Sequence, residues 1–432
     1  MDWKTIYRER TTTAAEAVKR IKSGDRVSIA HSVGEPSHLV AAMVANRESY
    51  RDVEIIHMVP MSAAEYAQPG MEPYFRHNSL FVGGTTRNTI RDGHGDFTPC
   101  YFSEIPNIFH RTAPLDVAMI HVSPPDEHGY CSCGVAVDYT RVSADRAPVV
   151  IAQVNRHMPR TLGDTFVHVS QMTCIVEHDA QLIQLQPPKI TDVEKAIGEN
   201  CAKIINDGDC LQLGIGAIPD AVLLFLKDKK DLGIHSEMFS DGVVELVEAG
   251  VINHSRKNFN PGKAVATFLM GTDRLYNYVN NNPAVNMFPS TYVNDPYVAG
   301  QNDNLVSVNS CVQVDFLGQV CSESVGPTQI SAVGGQVDFV RAAALSKGGR
   351  SIIAFGSTAG GGKISKIVPF LDQGAAVTTN RYDVEYVCTE YGIVNLKYRT
   401  VRDRARMLIS IAHPQFQDEL KEAFEKRFSC KY

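Results

Sequence analysis

The stretch IKSGDRVSIAHSVGEPSHLVAAMV, residues 21–44, is echoed 184 positions later by INDGDCLQLGIGAIPDAVLLFL, residues 205–226. Both copies read Ile, two polar residues, Gly-Asp, and then alternating apolar positions, Val27 and Ile29 against Leu211 and Leu213. A Gly-Asp turn followed by period-two apolar residues predicts a strand, because successive strand side chains point to opposite faces. Each strand runs into a glycine-bearing loop, a proline (Pro36, Pro219) and an apolar-periodic segment. That pattern predicts a helix with proline near its first turn, where the missing N–H is not needed. The unit is β-loop-α, and it occurs twice.

Further echoes follow in the same order. RDVEIIHMV (51–59) resembles KDLGIHSEM (230–238), and LDVAMIHVSPPDEHGYCS (115–132) resembles the segment from Leu305 to Cys321, with Asp126 against Asp315 and Gly129 against Gly318. VVIAQVN (149–155) answers SIIAFGS (351–357). Short apolar strands alternating with helices predict an α/β fold, here two related open α/β domains with largely parallel sheets. Between them QLQPPKITDVEKAIGENC (184–201) carries a Pro-Pro break and a helix start capped by Thr191 or Asp192. The expected domains are therefore 1–187 and 188–432, with a ligand cleft between them, since α/β sheets bind ligands at the C-terminal ends of their strands.

Composition bounds the function. The chain has 432 residues, 44% hydrophobic and 21% charged, with a formal net charge of −6. It can bury a sizeable core, which excludes disordered and fibrous classes. No basic surplus marks it for nucleic acid or an anionic membrane. MDWKTIYRERTTTAAEAVKR at the start has no apolar core of a signal peptide, and AVLLFL at 221–226 is far too short to span a bilayer. A cytoplasmic protein is expected. Ten scattered cysteines without a CxxC pair read as free thiols or small buried hydrophobes.

The candidates for chemistry lie mostly in the second half. Glu237 in IHSEMFSDG (234–242) is a carboxylate where the first half has Met58, at the end of a short apolar strand and before a Ser240-Asp241-Gly242 turn. Such a group can serve as a nucleophile or a proton shuttle, or it can simply cap or ion-pair a strand end. LGIGAIP (213–219) puts two glycines at a strand-to-helix turn, whose N–H groups suit an oxyanion or a phosphate. Pro219 stands where a dinucleotide fingerprint needs Gly. SAVGGQVDF (331–339) offers a second turn, Gly334-Gly335, and GSTAGGGKISKIVP (356–369) a third, ending in Lys363 and Lys366. That third cluster departs from a P-loop at Ser357 and Ile364, and reads either as a pyrophosphate loop or as a surface hairpin. DEHGYCSC (126–133) lacks the paired ligand spacing of a zinc site, and no metal is expected. Neither HExxH nor GxSxG occurs, which removes metalloprotease and serine-hydrolase readings.

Together with GGTTRNTIRDGHGDF (83–97), LGDTFVHVS (162–170), FLMGTDRLY (268–276), CVQVDFLGQVCSES (311–324), AAVTTNRYDVEYVCTEYGIVNL (375–396) and IAHPQF (411–416), these motifs resemble the acyl-CoA:carboxylate CoA-transferases over essentially the whole chain. The resemblance implies two related α/β domains with the active site between them and Glu237 as nucleophile. It implies CoA binding by Gly214, Ile215, Gly216, Ala217 and Ile218 and a backbone contact from Gly335. Ser331, Gly334 and Lys363 are expected to complete the CoA site, and the N–H groups of Ile215 and Gly335 to stabilise an oxyanion. CoA and acyl-CoA are then substrates, with no tightly bound cofactor. The expected acid is 4-hydroxybutyrate, with butyryl-CoA:acetate exchange or acetyl-CoA hydrolysis as alternatives. Thr85, Arg87, Asn88, Glu104 and His31 are candidates for reading the acid's hydroxyl group. A homodimer is expected, and AHPQFQDELKEAFEKRF (412–428) is an amphipathic helix that packs internally or against a partner.

Overall fold

A computed structural model describes residues 2–111 and 113–432. In the first half, strands β1 (Arg26–Ile29), β2 (Val53–Ile56), β3 (Phe75–Ser79), β4 (Gly95–Phe97), β5 (Val117–Val122), β6 (Val149–Val154) and β7 (Cys174–Glu177) form one sheet. Their order is β7-β6-β5-β1-β2-β3-β4, and every neighbouring pair is parallel. Helix α1 (Ser37–Ala45) follows β1, with Pro36 at its N-cap position. It lays Leu39, Val40, Met43 and Val44 into a core with Val27, Ile29, Val53, Ile55, Val117, Met119 and Ile151. Strands such as β5, buried along their entire length, lose the polar alternation of a half-exposed sheet, as parallel sheets covered on both faces do.

In the second half, helix α2 (Asp192–Ala202) starts with Thr191 as its cap, in a capping box completed by Glu194. Then come β8 (Cys210–Leu213), α3 (Ala217–Leu224), β9 (Gly233–Ile234), β10 (Met238–Phe239), α4 (Asp241–Glu248), β11 (Leu305–Asn309), α5 (Gln336–Leu345), β12 (Arg350–Ala354), β13 (Tyr386–Thr389) and β14 (Gly392–Asn395). The order β13-β12-β11-β8, with β9 also parallel to β8, repeats the first sheet's β7-β6-β5-β1-β2. The similarity of short motifs thus reflects a repeated topology. β10 and β14 are antiparallel additions. The amphipathic C-terminal helix α6 (Pro414–Phe428) packs internally, with Leu420 and Phe424 in the core of Val314, Phe316, Val340, Ile353, Phe355 and Leu408.

Contacts divide the chain into one compact unit of Met1–Gln186 with Val265–Val293, and another of Pro187–Ala264 with Asn294–Tyr432. The expected boundary at 187 falls at the Gln186–Pro187 break between these units, and Val265–Val293 returns to the first one, where its Phe268 packs against His31 and its Met287 pairs with Gly163. Ser240-Asp241-Gly242 is a helix start and not a turn, with Ser240 as N-cap of α4. Eight of the ten cysteines are buried, and all ten are free.

Candidate active site

Glu237 sits in a bend between β9 and β10. β9 runs parallel to β8 and β10 antiparallel to it, so the chain reverses at the carboxylate. Ser236 pins the bend to the end of β8: its hydroxyl donates to the Leu213 carbonyl at 3.0 Å and accepts the Leu213 N–H at 3.2 Å. From behind, buried Lys257 donates to the carbonyls of Ile234 and Lys263, both at 2.8 Å, while the Ile234 N–H reaches His254 Nδ1 at 3.3 Å. Burial lowers the Lys257 pKa, and burial together with the Lys257 charge pushes His254 down to about 4. The segment carrying Glu237 is thus held by side-chain bonds where regular strand pairing stops.

The half-buried Glu237 carboxylate lies against Asn294 and Gly335. Its Oε2 accepts a hydrogen bond from Asn294 Nδ2 at 2.8 Å. Gly335, the N-cap residue of α5, lies so close that an added Cβ would stand 1.9 Å from Glu237 Oε2 and 2.4 Å from Asn294 Nδ2. Only glycine lets the backbone approach the carboxylate in this way. Asn294 is fully buried and its amide oxygen has no hydrogen-bond partner among the described residues. A buried amide directed at a carboxylate fixes that carboxylate's position.

The stretch Gly214–Ile218 leads from β8 through a glycine turn into the first residues of α3. Gly216 has φ +116° and ψ −178°, a conformation open only to glycine, and as N-cap it supplies no side chain to the first-turn N–H groups. Ile215 is 41% exposed. The loop follows directly on Leu213, the last residue of β8 and the one Ser236 holds, so it and the Glu237 bend share one anchor. Asp220 in α3 accepts from the Ser240 hydroxyl at 3.3 Å; burial raises its pKa, with the neighbouring Asp241 charge adding to the rise.

Of the residues expected from sequence, the structure brings Glu237 and Gly335 into contact. Gly334, with φ +54°, forms the turn before Gly335, and half-buried Ser331 donates its N–H to the Glu323 carbonyl at 3.0 Å. Lys363 is exposed beside Gly360–Gly362 in a hairpin of Thr358–Ala359 and Ile364–Ser365, tethered by Gln415 to the Gly362 carbonyl. The third glycine cluster is therefore a surface hairpin. Asn294 was not among the expected residues. Its signal in YVNDPYV is masked, because Asp295 and Pro296 there read as a helix cap and start, which they also are.

Family comparison decides what this geometry belongs to. Residues 1–187 match the acetyl-CoA hydrolase/transferase N-terminal domain and residues 271–424 the acetyl-CoA hydrolase/transferase C-terminal domain. The chain belongs to the acetyl-CoA hydrolase/transferase family. Within that family it is 60% identical to the 4-hydroxybutyrate coenzyme A transferase of Clostridium kluyveri, over 99% of this chain and 100% of the relative. Among solved structures, RipA from Yersinia pestis matches with a TM-score of 0.95 at 39% identity over the whole of both chains. A 4-hydroxybutyrate CoA-transferase from Porphyromonas gingivalis matches with a TM-score of 0.85 at 41% identity, covering 99% of this chain and 100% of that one. As an acetyl-CoA hydrolase/transferase family member with this full-length similarity, the protein is an enzyme of the CoA-transferase type. Among the described residues no helix is long and apolar enough to cross a membrane.

Proposed function

We propose that this enzyme moves CoA between an acyl-CoA, such as acetyl-CoA or butyryl-CoA, and a short-chain carboxylate, with 4-hydroxybutyrate as the preferred acid, through a thioester on Glu237. The observation that carries the reading is the Glu237 carboxylate held by Asn294 at 2.8 Å against the backbone of Gly335. The full-length similarity to a 4-hydroxybutyrate enzyme supports the choice of acid.

The chemistry follows from carboxylate and thioester reactivity. A Glu237 oxygen attacks the acyl-CoA carbonyl, the C–S bond breaks, and CoA leaves as thiolate from an acyl-glutamyl anhydride. The thiolate attacks Glu237 Cδ, the C–O bond to the acyl group breaks, and the first acid departs as carboxylate. A second carboxylate attacks the glutamyl-CoA thioester and expels the thiolate, which takes the new acyl group from the resulting anhydride and frees Glu237. Every step exchanges one acyl derivative for another, so no net proton is consumed and the thioester energy is conserved. Each tetrahedral intermediate carries an oxyanion, for which the N–H groups of Gly335 and Ile215 are the proposed donors; one such donor is worth about 3 kcal/mol of barrier. CoA itself is held by the Gly214–Ile218 turn, Ser331, Gly334 and Lys363, as a substrate and not a resident cofactor.

Mass spectrometry after incubation with acetyl-CoA and no acceptor acid tests the mechanism. The expected product is a CoA adduct on Glu237 that borohydride removes by reduction. A CoA adduct that persists in Glu237→Ala would overturn the assignment. Following CoA-ester loss with and without added acid separates transfer, which stalls without an acceptor, from hydrolysis, which does not.

A further inference from the structure

Of the five first-half candidates for reading a substrate hydroxyl, Thr85, Arg87, Asn88 and Glu104 are exposed, whereas His31 is buried with its Nδ1 2.9 Å from Asp138 Oδ2. None of the five lines a cavity of about 730 Å³ that lies wholly within the first compact unit. This cavity sits outside the carboxyl ends of three neighbouring parallel strands, β5, β6 and β7. Pro124 and Pro125 follow β5, Arg156 follows β6, and β7 ends at Glu177 before Asp179. The N-terminal helix Trp3–Arg10 closes the cavity with Trp3, Lys4, Tyr7 and Arg8. Trp3 Nε1 donates to the Glu127 carbonyl at 3.1 Å and the Tyr7 hydroxyl to Glu177 Oε1 at 2.8 Å, which seats the helix on the strand ends.

The charges around the cavity are unevenly matched. Arg156 is taken by Asp179, with Nε 3.6 Å from Oδ2 and the backbone N–H donating to Oδ1 at 2.9 Å. Lys4 and Arg8 are exposed and have no carboxylate partner among the described residues; Lys4 Nζ lies 5.7 Å from the Trp3 ring centroid. Four positions apart, they share one helix face, where like charges repel unless an anion lies between them. Asp2, the remaining acid on the cavity, is exposed at the helix N-cap. Glu177 accepts from Tyr7 through Oε1 alone, so Oε2 keeps its full capacity for donors on a ligand.

Three kinds of group therefore line one cavity of ligand size. Two unmatched cations suit a phosphate, and the flat apolar faces of Trp3, Tyr7, Pro124 and Pro125 suit a ring. An acid at the carboxyl end of a parallel strand suits ribose hydroxyls, as it does in other nucleotide sites on parallel sheets. We propose that this cavity binds a nucleoside monophosphate, with its phosphate at Lys4 and Arg8, its base against the aromatic and proline side chains and its ribose on Glu177. All of these residues lie in the unit that does not contain Glu237. The proposal therefore stands independently of the transfer reading.

Trp3 is the chain's single tryptophan, so its fluorescence reports on the cavity directly. Titration of the full chain with adenosine monophosphate is expected to change the emission saturably, and equilibrium dialysis with the labelled nucleotide to give the same Kd. Adenosine, which lacks the phosphate, and the double variant Lys4→Ala, Arg8→Ala with the monophosphate are each expected to show a Kd raised at least about 10-fold. Both substituted side chains are exposed, and melting temperatures check that the variant is folded. Desulfo-CoA separates a free nucleotide from the nucleotide end of CoA: at saturation it is expected to leave the Kd for the monophosphate unchanged. Absence of binding in dialysis, equal affinity in the folded double variant, or displacement of the monophosphate by desulfo-CoA would each overturn the proposal.

Discussion

Glu237 Oε2 and Asn294 Nδ2 are 2.8 Å apart, and the amide that makes this bond is fully buried. A carboxylate that must attack a carbonyl carbon needs a fixed direction of approach, and a buried amide supplies it without neutralising the charge. Asn294→Ala removes the donor and is expected to lower kcat about 10- to 100-fold, the range for losing a hydrogen bond to a charged group. Asn294→Asp sets a second carboxylate against the first and is expected to cost more. Steady-state rates measured together with melting temperatures check this, and a wild-type rate in a folded Asn294→Ala protein would refute it.

Gly335 gives a sharper test because its constraint is one of space. A methyl group there would stand 1.9 Å from Glu237 Oε2, so the carboxylate, the Asn294 amide or the turn must move. A displacement of about 1 Å at a reacting group is worth about 100-fold in rate. Gly335→Ala is expected to fold, to lose at least that factor in kcat/KM, and to form the covalent CoA adduct correspondingly slowly in rapid-mixing mass spectrometry.

At Gly216 the constraint is backbone conformation. With φ +116° and ψ −178°, Gly216→Ala must strain or re-form the turn, at a cost of about 1–3 kcal/mol. The expected result is a lower melting temperature together with a higher KM for acyl-CoA. A variant of unchanged KM would remove the turn from the CoA site.

These sites show what the sequence discloses and what it withholds. The repeated strand, loop and helix units are legible because alternating apolar residues, Gly-Asp turns and prolines act within a few positions of one another. Glu237 and the glycine turns are visible for the same reason. Contact between Glu237 and Gly335 is not visible, since tertiary packing joins segments far apart in the chain. Asn294 is hidden because its neighbours Asp295 and Pro296 satisfy a local capping rule. The Asp138 partner of His31 carries no local signal, being 107 positions away. The grouping of Val265–Val293 with Met1–Gln186 carries no local signal either, because unit membership is decided by packing.

Lys363 is exposed at the end of a glycine hairpin. Its proposed role in holding CoA phosphates is therefore electrostatic and screened by salt. Lys363→Ala is expected to raise KM for CoA esters a few-fold at low ionic strength, with kcat unchanged and the difference shrinking as salt is added. An unchanged KM at low salt would place Lys363 outside the site.

Buried histidines couple the stability of the fold to pH on the acid side. His77 and His121 are each pushed down to about 4, first by burial, with the nearby His178 charge adding to the effect at His121. In the unfolded chain both titrate near the usual value of about 6.5. Between those values the unfolded state binds more protons than the folded one, so stability rises with pH. The contribution of keeping these rings neutral is complete above about pH 6.5, is lost progressively as pH falls toward about 4, and changes no further below that. Denaturant melts at a series of pH values are expected to show unfolding free energy declining through this window by about 3 kcal/mol per ring at most. His77→Gln removes one titrating group and is expected to flatten the decline, whatever its effect on stability at neutral pH. An equally steep decline in that variant would show that His77 is not one of the groups responsible.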